Sequence, residues 1–130
     1  MKKINIGIVG LGRMGKEYAK NLAFKIRSAN LVAACSIVPE ELAFAKNELG
    51  ITNIYEDYEQ MLQQQDLEAI FVISSTNQHA EHIIKALQAG LHVFSEKPLA
   101  ITPEACRQVE KVALQHPQQL VVVGLSLIHI

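Results

Sequence analysis

The sequence has no tryptophan, two cysteines and four prolines, and aromatic residues make up 5% of it. Cys35 lies in an apolar run and Cys106 in a helical pattern, with no Cys-x-x-Cys and no metal-ligand spacing. Both read as free, mostly buried thiols of a reducing compartment, and no disulfide is expected. An excess of charge of one sign is also lacking: 12 Lys and Arg stand interspersed with 13 Asp and Glu, for a net charge of −1. No basic stripe offers phosphate contacts, so nucleic acid is not an expected partner. Long apolar runs are missing as well. Residues 4–9 are too few for a signal-peptide core with its cleavage site, and far too few to cross a bilayer. The expectation is a cytoplasmic protein without a membrane partner.

What is present is a regular alternation. A length of 130 residues suits one domain around one core, and 49% apolar with 19% charged residues is a globular composition. Ile4-Asn5-Ile6-Gly7-Ile8-Val9 is a strand-like run ending in glycines, and Met14, Tyr18, Leu22 and Ile26 follow at helical spacing. Leu31 to Cys35 reads as a second strand. Pro39 opens a helix through Leu42, Ala45 and Leu49, which Gly50 closes. Asn53-Ile54-Tyr55 is a short third strand, and Asp57 can cap a brief helix through Met61 and Leu62. Residues 69–73 form a fourth strand, apolar throughout as in sheets covered on both faces. Ala80, Ile83, Ile84 and Leu87 mark a helix ending at Gly90, and residues 91–94 a fifth strand. Thr102 and Pro103 start a last helix, and residues 120–123 are a sixth strand. Six strands separated by helical segments predict an α/β fold: a doubly wound parallel sheet of Rossmann type, strand order 3-2-1-4-5-6, over residues 1–124.

The first strand runs directly into Gly10-Leu11-Gly12-Arg13-Met14-Gly15, a G-x-G-x-x-G turn. Alone the pattern is weak; between a strand and a helix it has the context that a dinucleotide fingerprint requires. Gly10 permits the tight turn, Gly12 lets the backbone approach a pyrophosphate, and Gly15 lets the helix pack on the strand. The helix N-terminus then offers N–H groups to the phosphates. The bland alternative is a structural turn that binds nothing. At the end of the second strand, where an acidic residue usually binds the ribose hydroxyls of NAD, stands Ser36. A serine can donate to a ribose hydroxyl or to a 2′-phosphate, or can merely end the strand. The cofactor is thus NAD or NADP, with NAD slightly favoured.

Two more segments lie at carboxyl ends of strands, where ligands bind in open α/β sheets. They are Ser74-Ser75-Thr76-Asn77-Gln78-His79 and Ser95-Glu96-Lys97-Pro98-Leu99. Together with the glycine turn, Tyr55-Glu56-Asp57-Tyr58 and Gly90-Leu91-His92-Val93-Phe94, they resemble the Gfo/Idh/MocA family of oxidoreductases, nearest its inositol 2-dehydrogenase-like branch. The resemblance implies that Lys97 is catalytic, near the nicotinamide and the reacting carbon, where an ammonium can stabilise developing alkoxide charge. It implies that Glu96 bonds the nicotinamide-side ribose and that Pro98 is a cis proline aiming Lys97. Ser75, Thr76, Asn77 and His79 would line the nicotinamide half of the site, and Leu11, Arg13 and Met14 the pyrophosphate turn. Against this, Lys97 can be read as a solvated lysine before a turn proline. His79 and His82, at i and i+3, could be a metal pair; lacking a third ligand, they read as helix N-terminal and surface residues, and no metal is expected.

Three departures limit the match. Ser36 replaces the usual acid. Tyr18 stands where many members carry His, which points to packing more than chemistry. Residues 125–130, Leu-Ser-Leu-Ile-His-Ile, depart from the family and read as an apolar, non-native tail of a truncated frame, with a short extra strand as the alternative. The family's C-terminal substrate domain would then be absent. The expected function is the nucleotide-binding half of an NAD(P)-dependent dehydrogenase. It would oxidise a secondary alcohol of a sugar, inositol or related polyol, be inactive alone, and form homo-oligomers only with the absent domain. The alternatives are a non-catalytic NAD(P)-binding sensor or subunit, or a different ligand in the same fold.

Overall fold

The computed structural model describes residues 3–96 and 102–124. Six parallel strands form one sheet in the order β3-β2-β1-β4-β5-β6, as the alternation predicts. Along the chain they are β1 (Ile4–Val9), β2 (Ala29–Cys35), β3 (Asn53–Tyr55), β4 (Ala69–Val72), β5 (His92–Glu96) and β6 (Val121–Gly124). The helices are α1 (Arg13–Phe24), α2 (Pro39–Asn47), α3 (Tyr58–Leu62), α4 (Thr76–Gln88) and α5 (Pro103–Gln115). No helix among the described residues is long and apolar enough to cross a membrane. Lys97, Pro98 and residues 125–130 lie outside the described residues.

Strand periodicity sorts the core into two layers, because successive side chains point to opposite faces. Val9, Ala33, Cys35, Ile70, Val72 and Val93 meet Met61 of α3, Ile83 and Leu87 of α4 and Val109 of α5. Ile8 and Ala34 meet Tyr18 and Ala19 of α1 and Ala45 of α2 on the other face. Gly7 belongs to the crowded first layer. A Cβ there would stand 3.1 Å from Ile70 Cδ1 and 3.2 Å from Leu67 Cδ2. The register between β1 and β2 shifts at this place, between Ile6 and Gly7.

The ends of β2, β4, β5 and β6 differ from the sequence reading by one or two residues, and two helices end earlier than their spacing suggests. Helix α1 stops at Phe24, so Ile26, spaced as a helical residue, lies past its end and is exposed. The Ile26 N–H instead bonds the Asn21 carbonyl, closing the helix. Helix α2 ends at Asn47, before Leu49, and Gly50 follows at φ 70°. The Ile51 N–H then returns to the Ala45 carbonyl, the closure a left-handed residue permits. The expected caps form: Asp57 accepts from the Glu59 N–H and Thr102 from the Ala105 N–H. Both cysteines are free thiols, but only Cys35 is buried; Cys106 is half-buried. His92 sits in β5 and its Nδ1 accepts the Leu120 N–H, which ties β5 to the approach of β6.

The tightest point is the glycine turn. Gly10 has φ 94°, and a Cβ on it would lie 2.5 Å from the Ser74 backbone nitrogen. A Cβ on Gly15 would fall 2.0 Å from the Gly10 carbonyl oxygen. These neighbours are backbone and cannot rotate away. Gly15→Ala is therefore expected to cost about 2–3 kcal/mol by overpacking and to lower Tm by roughly 10 °C. Thermal unfolding checks this, and an unchanged Tm would refute the contact.

Candidate functional site

A cleft of about 540 Å³ opens at the carboxyl ends of the strands. The strand order sets its layout. The glycine turn, after central β1, divides it: the ends of β2 and β3 lie to one side and those of β4 and β5 to the other. Gly10, Leu11, Gly12, Arg13, Met14 and Gly15 line the middle. Gly12 differs from its two partners, since a Cβ there would meet nothing within 4 Å. Its side of the turn is open cleft.

Electrostatics favour an anion in the middle. Helix α1 starts at Arg13 with Gly12 as N-cap, no side-chain cap and no acidic residue in its first turn. Helix α4 starts at Thr76 with Ser75 as N-cap and again no side-chain cap. Two helix starts thus leave N–H groups and partial positive charge directed at the cleft. The Ser75 hydroxyl donates to Asn77 Oδ1 at 2.7 Å and accepts no N–H from the first turn of α4.

On the β4–β5 side, Ser74, Ser75, Thr76, His79 and Glu96 line the cleft, whereas Asn77, expected there, is not among the lining residues. Glu96 ends β5, and its carboxylate accepts a hydrogen bond from the Tyr18 hydroxyl. Tyr18 is buried, with its ring 6.0 Å from Phe71 and 5.5 Å from Phe94, centroid to centroid. Tyr18 therefore packs, as expected, and also holds Glu96.

His79 is buried, contrary to its reading as a surface residue, and its Nε2 lies 2.6 Å from the Ser74 carbonyl oxygen. His82 Nδ1 is 2.7 Å from Ser74 Oγ. Both rings fasten the Ser74 turn, so neither is a surface side chain waiting for a ligand. No group of three His, Cys, Asp or Glu among the described residues could hold a metal ion. Tyr58 supports the arrangement. Its hydroxyl donates to the His82 carbonyl oxygen at 2.6 Å, and the two rings are 4.4 Å apart. Burial raises the Tyr58 phenol well above its usual range and, with a smaller contribution from nearby Asp57, pushes the Cys35 thiol up to about 11. Cys35 is thus a protonated wall of the cleft.

On the β2–β3 side, Ser36 is buried at the end of β2, and Ile37, Val38, Glu41 and Glu56 line the cleft beside it. Ser36 Oγ accepts the Val38 N–H at 3.0 Å and donates to Glu41 Oε1 at 2.6 Å. Its single hydroxyl proton is already committed. Glu41, Glu56, Tyr58 and His82 were not singled out from the sequence as site residues. An acid in the first turn of the helix after a strand lacking its terminal acid was a signal that could have found Glu41.

The sheet order, the glycine turn and the uncapped helix starts define a Rossmann domain of the dinucleotide-binding class. The model of an oxidoreductase family with an NAD-binding Rossmann fold, GFO_IDH_MocA, matches residues 4–125, and the chain belongs to that family. An inositol 2-dehydrogenase of Azotobacter vinelandii is 34% identical over 122 residues, covering 93% of this chain and 36% of that protein. Scyllo-inositol dehydrogenase of Lactobacillus casei, solved with bound NAD(H) and scyllo-inositol, aligns at TM-score 0.92 and 47% identity, over 95% of this chain and 36% of its own. Myo-inositol 2-dehydrogenase of Lactobacillus plantarum aligns at TM-score 0.91 and 40% identity, with the same coverage. The chain thus spans 36% of the length of these relatives.

The His82 contacts have a consequence for pH. Burial lowers its pKa from 6.5 to about 4; Glu81 opposes this shift, while His79 and Lys85 add to it. The unfolded chain takes up this proton near 6.5 and the folded chain only near 4. The neutral ring's contribution is therefore complete above pH 6.5 and is lost as pH falls toward 4. Allowing for partial solvent screening, the loss is on the order of 1–2 kcal/mol. Denaturant unfolding of wild type and His82→Asn across this window is expected to show the steeper decline in wild type. Parallel profiles would remove His82 from the account.

Proposed function

We propose that the chain is the nucleotide-binding part of an NAD(P)-dependent oxidoreductase that converts a secondary alcohol of inositol or a related polyol into a ketone. The observation that supports this most is the placement of Glu96 at the end of β5, held by Tyr18, on the cleft wall across the glycine turn from Ser36. The next residue in the chain is Lys97. A sensor needs the glycine turn, but it has no use for an ammonium beside the reacting carbon.

In this reading the pyrophosphate rests on the N–H groups of α1, with Gly12 leaving room and Arg13 adding charge. Thr76, His79 and the Ser75 backbone line the nicotinamide half, and Glu96 accepts from its ribose. The bound nicotinamide supplies a hydride acceptor. Lys97 hydrogen-bonds the substrate oxygen and stabilises the alkoxide charge that develops as the carbon loses hydride. With nicotinamide bound, the C–H electron pair would pass to it as hydride, the hydroxyl proton would pass to a base, and the C=O bond would form. In this reading the base and most of the polyol pocket come from residues other than these 130. Turnover by these 130 residues alone is therefore not expected. The cytoplasm is the proposed compartment, in keeping with two free thiols.

Cofactor binding is the direct test. At about ten times Kd, a ligand specific for the folded state adds about 1.4 kcal/mol, which raises Tm by a few degrees. Millimolar NAD or NADP is expected to give such a shift. Gly12→Ala is expected to keep the unliganded Tm within about 2 °C, since its Cβ enters open space, yet to abolish most of the shift. No shift with either cofactor in wild type would overturn the proposal.

A further inference from the structure

The acid that ordinarily meets the adenosine ribose stands at the end of β2, and here that place is Ser36. Ser36 is a poor substitute for it: its oxygen carries no charge and already accepts the Val38 N–H, and its proton goes to Glu41 Oε1, 2.6 Å away. The bond has a second effect. It fixes a carboxylate from the first turn of α2 at the mouth of β2, five positions later in the chain than the residue it replaces. Glu41 is half-buried and lines the cleft there. One carboxylate oxygen takes the serine proton, and the other can accept from a ribose hydroxyl.

We infer that Glu41, positioned by Ser36, is the residue that binds the adenosine ribose diol and selects NAD over NADP. The inference rests on the dinucleotide reading above and adds the cofactor choice to it. A 2′-phosphate brings about −1.5 to −2 charges at neutral pH. It would meet the Glu41 carboxylate, with Glu56 lining the same side of the cleft. Arg13, the only Arg or Lys among the described lining residues, stands at the glycine turn, where the pyrophosphate has its own claim on it. Like charges brought together are how such a site rejects the wrong ligand.

The competing explanation is structural. Glu41 lies in the first turn of α2, where an acid favours the helix N-terminus whatever the cleft holds. Binding of NAD and NADP to the full chain, measured by calorimetric titration, separates the two. Wild type is expected to prefer NAD by at least about tenfold. Glu41→Gln, of the same shape, is expected to weaken NAD about tenfold by loss of a charge-assisted bond and to tighten NADP, bringing the ratio near one. Ser36→Ala frees the carboxylate without removing its charge, and is expected to weaken NAD while NADP stays excluded.

A wild-type ratio at or below one overturns the inference. So does a Glu41→Gln variant that weakens both cofactors alike, or a ratio that moves with Glu56→Gln instead. In those cases NAD still binds and the dinucleotide reading survives. If NAD does not bind wild type at all, that reading fails, and the role of Glu41 fails with it.

Discussion

The close approach of α1 to the end of β1 is the constraint from which the site follows. Gly15 lies so near the Gly10 carbonyl, and Gly10 so near the Ser74 backbone, that neither contact leaves room for a Cβ. No side chain takes part in either. Together they fix the start of α1, the exit of β1 and the exit of β4 relative to one another, and these are three walls of the cleft. The direction of the α1 N–H groups is thereby set by backbone packing, and it survives changes in the surrounding side chains.

The remaining polar groups are distributed so as to leave that end of the helix vacant. Helices α3 and α5 begin with capping side chains, Asp57 and Thr102. Helices α1, α2 and α4 begin without one; α2 carries Pro39, Glu40 and Glu41 in its first turn, whereas α1 and α4, whose first residues line the cleft, have no acid there. Side chains able to cap are engaged elsewhere: Ser75 with Asn77, and the Ser74 hydroxyl with His82. Uncapped helix starts cost stability, on the order of 1 kcal/mol each. Two of them opening on one cleft make sense if a ligand completes them.

Much of the fold was legible because it is written in local patterns. The isoleucine-rich run at β1, the continuous apolar run at β4, Pro39 and Thr102-Pro103 at helix starts, and the turn at Gly10 each report on one element. The parallel strand order then follows from the alternation. The pairing of side chains between elements was not legible. Tyr18 and Glu96 are 78 positions apart and meet because α1 and the end of β5 share one end of the sheet. Ser36 and Glu41 are near in sequence but belong to a strand end and a helix start, so their contact depends on how the chain turns at Val38-Pro39. His79 and His82 looked like surface residues because a polar helix face gives no hint that a neighbouring loop folds over it. Periodicity describes a face; it does not describe what covers that face.

The three glycines of the turn also offer a way to read the history of related chains. Gly10 and Gly15 are held by the fold's own backbone, whereas the space beside Gly12 is empty of protein. A lineage that ceased to bind nucleotide would remain under pressure at the first and third glycines and be released at the second. Drift at the position of Gly12, with its neighbours intact, would mark a descendant that kept the architecture after abandoning the cofactor.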